Sequence, residues 1–139
     1  MSVAPTGPIL HLSIPVRDLD EALHFYVRVL GCRPARRRQG FADVWFYGMQ
    51  VTLQERPDEV SSALPRSVRH FGVTLERHQF HALVAHLRAL DVDWVAPVTT
   101  DDAELVTEQT KGKIADPSGN VIELKTYPDP TAALEIPPS

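Results

Sequence analysis

Two short stretches decide the fold of this 139-residue chain: His11-Leu-Ser-Ile-Pro-Val16 and His70-Phe-Gly-Val-Thr-Leu75. In each stretch a histidine precedes alternating apolar residues, a pattern that is typical of a strand. A helical pattern follows both, at residues 19–30 in the first case and 79–90 in the second. Because the same features occur twice in the same order, the sequence indicates an internal repeat.

The first helical pattern carries its own start and stop signals. Asp18 can accept the free backbone N–H groups of the first turn, and Glu21 stands three residues further on, as in a capping box. Gly31 directly follows the last apolar residue, where a helix commonly ends. These signals predict a helix that begins after Asp18 and ends before Gly31.

Strand-like stretches separated by turn residues follow each helix, so both halves of the chain are predicted to have the order β-α-β-β-β. One helix on a small sheet leaves the other sheet face uncovered, and two copies must share that face. The sequence therefore predicts an α+β fold, with two βαβββ modules in tandem that form one cup-shaped, mixed-sheet cavity. The predicted strands are residues 41–47 and 50–55 in the first copy, and 93–96, 111–115 and 121–126 in the second.

The predicted domain spans residues 8–127, and its length fits one compact domain. Proline-rich polar ends bury too little apolar surface to offset the entropy of ordering them, so both ends are predicted to be tails. The predicted boundaries are an N-terminal tail at 1–7, modules at 8–55 and 69–126, a linker at 56–68 and a C-terminal tail at 128–139.

Composition excludes several classes of protein. Hydrophobic residues make up 43% of the chain and charged residues 23%, as in an ordinary soluble globular protein. A net charge of −4 argues against a general binder of nucleic acid or anionic membranes. The chain lacks a long apolar run, and its first residues do not resemble a signal peptide, so a cytoplasmic protein is expected. Since Cys32 is the single cysteine, any metal must be held by histidine and carboxylate.

His11 and His70 occupy the same position in the two copies, and Glu123 interrupts the apolar run Val121-Ile-Glu-Leu124 in a strand that should be partly buried. Two imidazoles and one carboxylate from three strands can form a facial triad, which holds a divalent metal and leaves positions open for substrate. The residue types alone also permit a structural explanation, in which the histidines begin strands and Glu123 pairs with an arginine.

Several motifs, in this order, resemble the vicinal oxygen chelate superfamily, which contains glyoxalase I, extradiol dioxygenases, and fosfomycin and bleomycin resistance proteins. The resemblance covers residues 8–127 and implies paired βαβββ modules with a metal-bearing cavity. The motifs are His11-Leu-Ser-Ile-Pro-Val-Arg-Asp-Leu19, Phe25-Tyr26, Leu30-Gly31, His70-Phe-Gly-Val73 and Asp116-Pro-Ser-Gly-Asn-Val-Ile-Glu-Leu124.

By the family pattern, the metal ligands are His11, His70 and Glu123. The resemblance further implies a fourth position on the last strand of the first module, where glyoxalases place a glutamate and extradiol dioxygenases have no ligand. Alternation along this strand places Gln50, Thr52 and Gln54 on one face and Val51, Leu53 and Glu55 on the other. If Val51 and Leu53 face the helix layer, Gln54 turns inward. We therefore predict Gln54 as a weak fourth ligand or a substrate contact.

Lys111 and Lys113 share one face of a predicted strand that should approach the cavity, where a lysine can bind a carboxylate or phosphate. The run Arg36-Arg-Arg38 could steer an anionic substrate, although a solvated sheet edge is the more common role for such a run.

The resemblance implies a metalloenzyme that chelates two adjacent oxygens of a small substrate. Three protein ligands leave open positions, and the uncharged Gln54 favours a dioxygenase-like over a glyoxalase-like lyase or isomerase site. The expected cofactor is a divalent ion, with Fe(II) favoured and Mn, Ni or Zn possible. The alternative is a metal-free protein that binds a drug or metabolite, as bleomycin resistance proteins do. In either case the expected partners are a small molecule and a second copy in a homodimer, with no nucleic acid or membrane.

Overall fold

The computed structural model describes residues 7–60 and 69–135. Its strands form two four-stranded mixed sheets with few helices, so the predicted α+β class and the repeated strand order are confirmed. The chain forms two compact units: the first holds the first sheet together with the turn Asp116–Asn120, and the second holds the second sheet. None of the described helices is long and apolar enough to cross a membrane.

The first unit contains strands β1 (His11–Val16), β2 (Arg33–Arg38), β3 (Phe41–Phe46) and β4 (Met49–Glu55) in the sheet order β1-β4-β3-β2. β1 runs parallel to β4, and the other neighbours are antiparallel. A two-residue turn, Tyr47-Gly48, joins β3 to β4, and both of its residues have positive φ. Such a turn matches the twist of the flanking strands and favours glycine.

A helix follows β1, as predicted, but it is not regular. Helix α1 (Leu19–Leu23) begins at Asp18, whose side chain accepts a hydrogen bond from the backbone N–H of Glu21. It then continues as a wider π-helical turn over His24–Val29. Gly31 ends this turn with a φ of 80°. The predicted start and stop are thus confirmed, whereas periodicity did not indicate the change in helix type.

The core of the first unit lies between this helix and one face of its sheet. Strand alternation directs Val16, Val44, Val51 and Leu53 to that face, where all four are fully buried. The ring of Tyr26 is also fully buried and meets the Phe25 ring edge to face, with centroids 5.3 Å apart.

The second unit repeats this arrangement. It contains β5 (Phe71–Thr74), α2 (Arg77–Arg88), β6 (Asp93–Asp101), β7 (Gln109–Ala115) and β8 (Val121–Thr126), in the sheet order β5-β8-β7-β6. β5 is parallel to β8. The residues that line the buried side of α2 and of this sheet are Phe80, Val84, Leu87, Ile114, Ile122 and Leu124.

Two short helices fall where no structure was predicted. Within the predicted linker, Pro57–Glu59 forms one turn of 3₁₀ helix, and residues 61–68 lie outside the described part of the chain. Within the predicted C-terminal tail, helix α3 (Pro130–Leu134) begins at Asp129, which accepts a hydrogen bond from the N–H of Ala132. Proline at the first helical position and the aspartate cap explain why this proline-containing segment is helical. Residues 1–6 and 136–139, at the ends of the two predicted tails, are also outside the description.

Candidate ligand-binding site

Glu123 is the central residue of the candidate site in the second unit. Its neighbours on β8, Ile122 and Leu124, are fully buried on the helix side of the sheet. Alternation therefore directs Glu123 and Lys125 to the opposite face. On β7, Lys113 is the direct cross-strand partner of Glu123. Only 8% of the Glu123 side chain is exposed, so its charge requires compensation.

Three basic side chains provide that compensation. One carboxylate oxygen, Oε1, lies 3.2 Å from Nζ of Lys125 and 3.6 Å from Nε2 of His70. The other, Oε2, lies 3.9 Å from Nζ of Lys113. Because two lysines face one glutamate, the cluster has an excess of positive charge even when His70 is neutral.

A pocket of about 230 Å³ opens beside this cluster. Gly72 forms part of its wall, directly opposite Glu123 on the parallel strand. A Cβ atom at this position would lie only 1.9 Å from the carbonyl oxygen of Glu123, so no other residue fits without moving the strands. The lining residues are His70, Phe71, Gly72, Val73, Thr74, Glu123 and Lys125.

The predicted site residue Lys111 has a different environment. Its ammonium group lies 3.1 Å from a carboxylate oxygen of Asp101 on β6, and it does not line the pocket. Of the two lysines predicted on β7, only Lys113 faces Glu123. Sequence analysis missed Lys125, although its position two residues after Glu123 on the same strand was a signal that could have indicated it.

In the first unit, the polar face of the sheet carries His11, Ser13 and Gln54. The expectation that Val51 and Leu53 face the helix layer is confirmed by their full burial, and Gln54 lies on the opposite face. Its side-chain amide donates a hydrogen bond of 2.6 Å to Oγ of Ser13.

Glu55 lies on the helix side and has a structural role. Its carboxylate oxygen Oε2 accepts a hydrogen bond of 2.9 Å from the backbone N–H of Leu19, the first residue of α1. A carboxylate at this end of a helix satisfies a free donor and complements the helix dipole. Glu55 therefore caps α1, and Gln54 lies on the opposite sheet face, which also carries His11.

The cross-strand register identifies which residue of the first unit is equivalent to Glu123. Glu123 pairs with Gly72, two residues after His70. In the first unit, the residue two positions after His11 is Ser13, and its partner is Thr52. By register, Thr52 is thus the counterpart of Glu123, and Gln54 is the counterpart of Lys125. Alternation indicates a face but does not fix the pairing of β4 with β1, and the role of Gln54 as a ligand or substrate contact stays a prediction.

Thr52 belongs to a cluster around a buried acid that sequence analysis did not identify. Its hydroxyl donates a 2.6 Å hydrogen bond to Oδ1 of Asp43 on β3. The other carboxylate oxygen, Oδ2, accepts a 2.8 Å bond from Nε of Arg36 on β2. Arg36 also stacks over the ring of Phe41, with 4.8 Å between the guanidinium carbon and the ring centroid. An aspartate within an apolar strand was a signal of the same kind as Glu123.

The donor set does not fit a resident metal ion as it stands. A cation at the carboxylate of Glu123 would lie close to the ammonium groups of Lys113 and Lys125, which would repel it. At the equivalent position the first unit offers Thr52, whose hydroxyl is engaged by Asp43. Within residues 7–60 and 69–135, no three histidine, cysteine or acidic side chains form a group that could hold a metal. The assignment of His11, His70 and Glu123 as ligands stays a prediction.

Two buried groups of the first unit, Cys32 and Asp116, have shifted pKa values that accompany structural roles. Burial raises the pKa of the Cys32 thiol to about 12, so this cysteine is a protonated packing residue at neutral pH. Burial also raises the pKa of Asp116, and hydrogen bonds from Asn120, Tyr26 and Ser118 oppose this effect.

Comparisons with known proteins agree with this architecture. A sequence model of the Glyoxalase/Bleomycin resistance protein/Dioxygenase superfamily matches residues 8–124. A protein of that description from Alicyclobacillus acidocaldarius is 32% identical, with a TM-score of 0.81 over 90% of this chain and 95% of that one. The fosfomycin resistance protein FosX from Listeria monocytogenes is 13% identical, with a TM-score of 0.72 over 94% and 100% of the two chains. Lactoylglutathione lyase from Agrobacterium tumefaciens is 19% identical, with a TM-score of 0.63 over 88% and 95%. The last two comparisons show a common fold alone.

Proposed function

This chain belongs to the glyoxalase/bleomycin resistance protein/dioxygenase superfamily, and on that basis we propose that it binds a small organic anion at Lys113 and Lys125 without a resident metal. Members of the superfamily bind small molecules. The observation that carries the proposal is the placement of two lysines around the single carboxylate of Glu123, with Glu123 and Lys125 lining the pocket and Lys113 across the strand pair from Glu123. The excess positive charge favours a ligand with a carboxylate or phosphate group.

The roles within the pocket follow from the contacts. Lys125 is the one of the two lysines that lines the pocket, so it is the principal anion contact. Glu123 holds both lysines in place, which reduces the side-chain entropy lost when a ligand binds. His70 adds a hydrogen-bond donor at the rim, and Phe71 and Val73 supply apolar wall for the carbon skeleton of the ligand.

A titration with inorganic phosphate as the probe tests this proposal. Isothermal calorimetry on protein treated with a chelator and dialysed should show the same phosphate affinity as on untreated protein. Lys125→Gln should weaken binding about tenfold, since a charge-assisted hydrogen bond contributes about 1.5 kcal/mol. Lys111→Gln is the matched control, because this lysine is engaged by Asp101 outside the pocket. Unchanged affinity in Lys125→Gln, or loss of binding after chelation, would contradict the proposal.

The metal-dependent function is the second candidate, and one contact favours it. Nε2 of His70 lies 3.6 Å from Glu123, so two residues of the predicted ligand set are neighbours. Elemental analysis of purified protein tests it directly: about one divalent ion per chain, lost in His11→Ala, His70→Ala and Glu123→Ala alike, would establish the predicted ligands in place of the anion site. Fe(II) remains the predicted ion for that case, and dioxygenase-like chemistry on vicinal oxygens the predicted activity. The homodimer also stays a prediction.

A further inference from the structure

Arg36 differs from the other arginines of β2 because its guanidinium group is fixed from two sides. Its Nε atom donates to Oδ2 of Asp43 over 2.8 Å, and its central carbon lies over the ring of Phe41, 4.8 Å from the ring centroid. Asp43 is itself fixed, because only 5% of its side chain is exposed and Thr52 donates to its second oxygen. Arg36 is nevertheless 51% exposed, so the fixed group remains accessible to solvent.

The two Nη atoms of this guanidinium group can bind a planar anion. An arginine has five N–H donors, and the bond to Asp43 engages Nε alone. Among the described residues, neither Nη atom of Arg36 donates a hydrogen bond. Two parallel N–H groups in one plane match the two oxygens of a carboxylate, and a fixed fork loses little entropy when it binds.

Two aromatic side chains flank this position on the same sheet face. Phe41 and Trp45 stand two residues to either side of Asp43 on β3, and both are half-buried. Alternation places all three on the face that also carries Thr52. An aromatic surface next to a carboxylate-binding fork recognises a ligand with a flat apolar part and a carboxylate at its end.

We infer that Arg36, Phe41 and Trp45 form a binding site for aryl carboxylates on the first sheet. This site lies in the first unit and does not depend on the lysine pocket of the second. Asp43 and Thr52 act as positioning residues, because the buried Asp43 carboxylate orients Arg36 and the hydroxyl of Thr52 is engaged by Asp43. The two arginines that follow Arg36 on β2 lack such support: Arg37 pairs with the exposed Asp20, and Arg38 donates to the carbonyl oxygen of Arg37.

Benzoate is the probe for the experiment, with acetate and benzyl alcohol as matched compounds that lack the ring or the charge. In ¹H–¹⁵N NMR titrations of the full chain, benzoate should shift the Nε resonance of Arg36 and the indole resonance of Trp45. It should bind at least tenfold more tightly than either matched compound. Equal affinity for benzyl alcohol, or shifts that leave both resonances unchanged, would overturn the inference.

Variants separate this site from general charge effects. Arg36→Lys keeps the charge but lacks the fork, and Trp45→Leu keeps an apolar side chain but lacks the ring. Each should weaken benzoate binding at least fivefold. Arg38→Lys is the matched control and should leave the affinity unchanged. Because Arg36→Lys also removes a partner of Asp43, thermal melts establish that it is folded, and Trp45→Leu, which leaves the Asp43 pair intact, provides an independent test of the site.

Lys125→Gln distinguishes this inference from the proposed function. If benzoate binds at Arg36, the affinity determined from the Arg36 and Trp45 resonances is the same in Lys125→Gln as in the wild type, whether or not the lysine pocket also binds benzoate. Loss of benzoate binding in Lys125→Gln together with full binding in Arg36→Lys would assign the ligand to the second unit and overturn the site on the first sheet.

Discussion

The polar faces of the two sheets have the same backbone register but opposite charge arrangements. In the first unit, the acid lies on β3 and its cation comes from the edge strand β2. In the second, the acid lies on β8 and its cations come from β7 and from β8 itself. The four pairs of equivalent positions, first unit before second, are Ser13 and Gly72, Thr52 and Glu123, Asp43 and Lys113, and Gln54 and Lys125.

This difference shows that the repeat specifies the backbone and leaves the chemistry of each face free to diverge. The helix-facing positions are apolar in both units, because both must bury the same surface. The opposite positions are under no such constraint. A shared fold therefore does not transfer a ligand set from one unit to the other, and function has to be argued from each face separately.

The largest effect is expected at the parallel strand pair, because the second unit leaves no space for a Cβ atom at Gly72, whereas the first unit has a serine at the equivalent position. Gly72→Ala places a Cβ atom against the backbone of Glu123 and should lower the free energy of unfolding by about 3 kcal/mol, as strong overpacking does. Urea unfolding measures the change. Ser13→Ala is the equivalent substitution in the first unit, and it removes only a hydroxyl that accepts from Gln54. Similar losses of unfolding free energy in both variants would contradict the difference in space between β1–β4 and β5–β8.

A smaller effect is expected where the two sheets differ in the turn that precedes their last strand. β3 and β4 are joined by the short turn Tyr47-Gly48, whereas the turn Asp116–Asn120 carries a buried carboxylate that accepts a 2.8 Å bond from the hydroxyl of Tyr26. Tyr26→Phe removes this donor and should cost about 2 kcal/mol, since the acceptor is charged and buried. Tyr127→Phe is the control, because its hydroxyl accepts a bond from the uncharged side chain of Gln109, and an equal loss there would contradict the assignment.

The loss in Tyr26→Phe should depend on pH. The Tyr26 bond lowers the pKa of Asp116 against the stronger effect of burial, so its removal raises that pKa further. A carboxyl group with a raised pKa in the folded protein stabilises the fold at low pH and loses this contribution as the pH rises through the raised value. The deficit of the variant should therefore be small below about pH 4 and larger at neutral pH. Urea unfolding of the wild type and the variant across this pH range measures the difference in unfolding free energy. A difference that does not change with pH would contradict the coupling between the Tyr26 bond and the protonation of Asp116.

The smallest effect is expected at the equivalent of Glu123 in the first unit. Thr52→Val keeps the shape of the side chain but removes the donor to Asp43, and it should cost about 1 kcal/mol in unfolding free energy. Thr100→Val, an exposed threonine on β6 that bonds to Thr110, should be nearly neutral. If Thr52→Val were equally neutral, the hydrogen bond from Thr52 to Asp43 would not contribute to the free energy of unfolding.

The sequence was sufficient to predict the features that depend on local pattern. The two histidine-led strands, the Asp18 cap and the glycine after the first helix all follow from residues close together in the chain. The π-helical turn after Leu23 could not be predicted, because a short apolar pattern looks the same in an α-helix and in a π-helix. Helix α3 was not predicted, because the number of prolines near the C-terminus indicates a tail. The position of Pro130 directly after the capping Asp129 is what favours a helix.

The candidate site was predictable only in part, because it depends on which residues face each other across strands. Alternation was enough to place Gln54 on the face of His11. The equivalence of Thr52 and Glu123 needed the pairing of β1 with β4, which no local pattern contains. Arg36 and Asp43 are seven residues apart, and a register shift in β2 opposite β3 precedes their contact. The prediction of a solvated edge is confirmed, because β2 is an exposed border strand, but the contact of Arg36 with Asp43 depends on that irregularity.

Strand β2 has a consequence for the behaviour of the protein at high concentration. It forms one border of the first sheet, and all six of its residues are exposed. A border strand offers unpaired backbone donors and acceptors to the same strand of another molecule, which is the first step of intermolecular sheet growth. Four of the six residues are arginines, and one is a proline that has no N–H to donate. Two such strands brought together would repel each other, so the sequence of β2 opposes self-association through this border of the sheet.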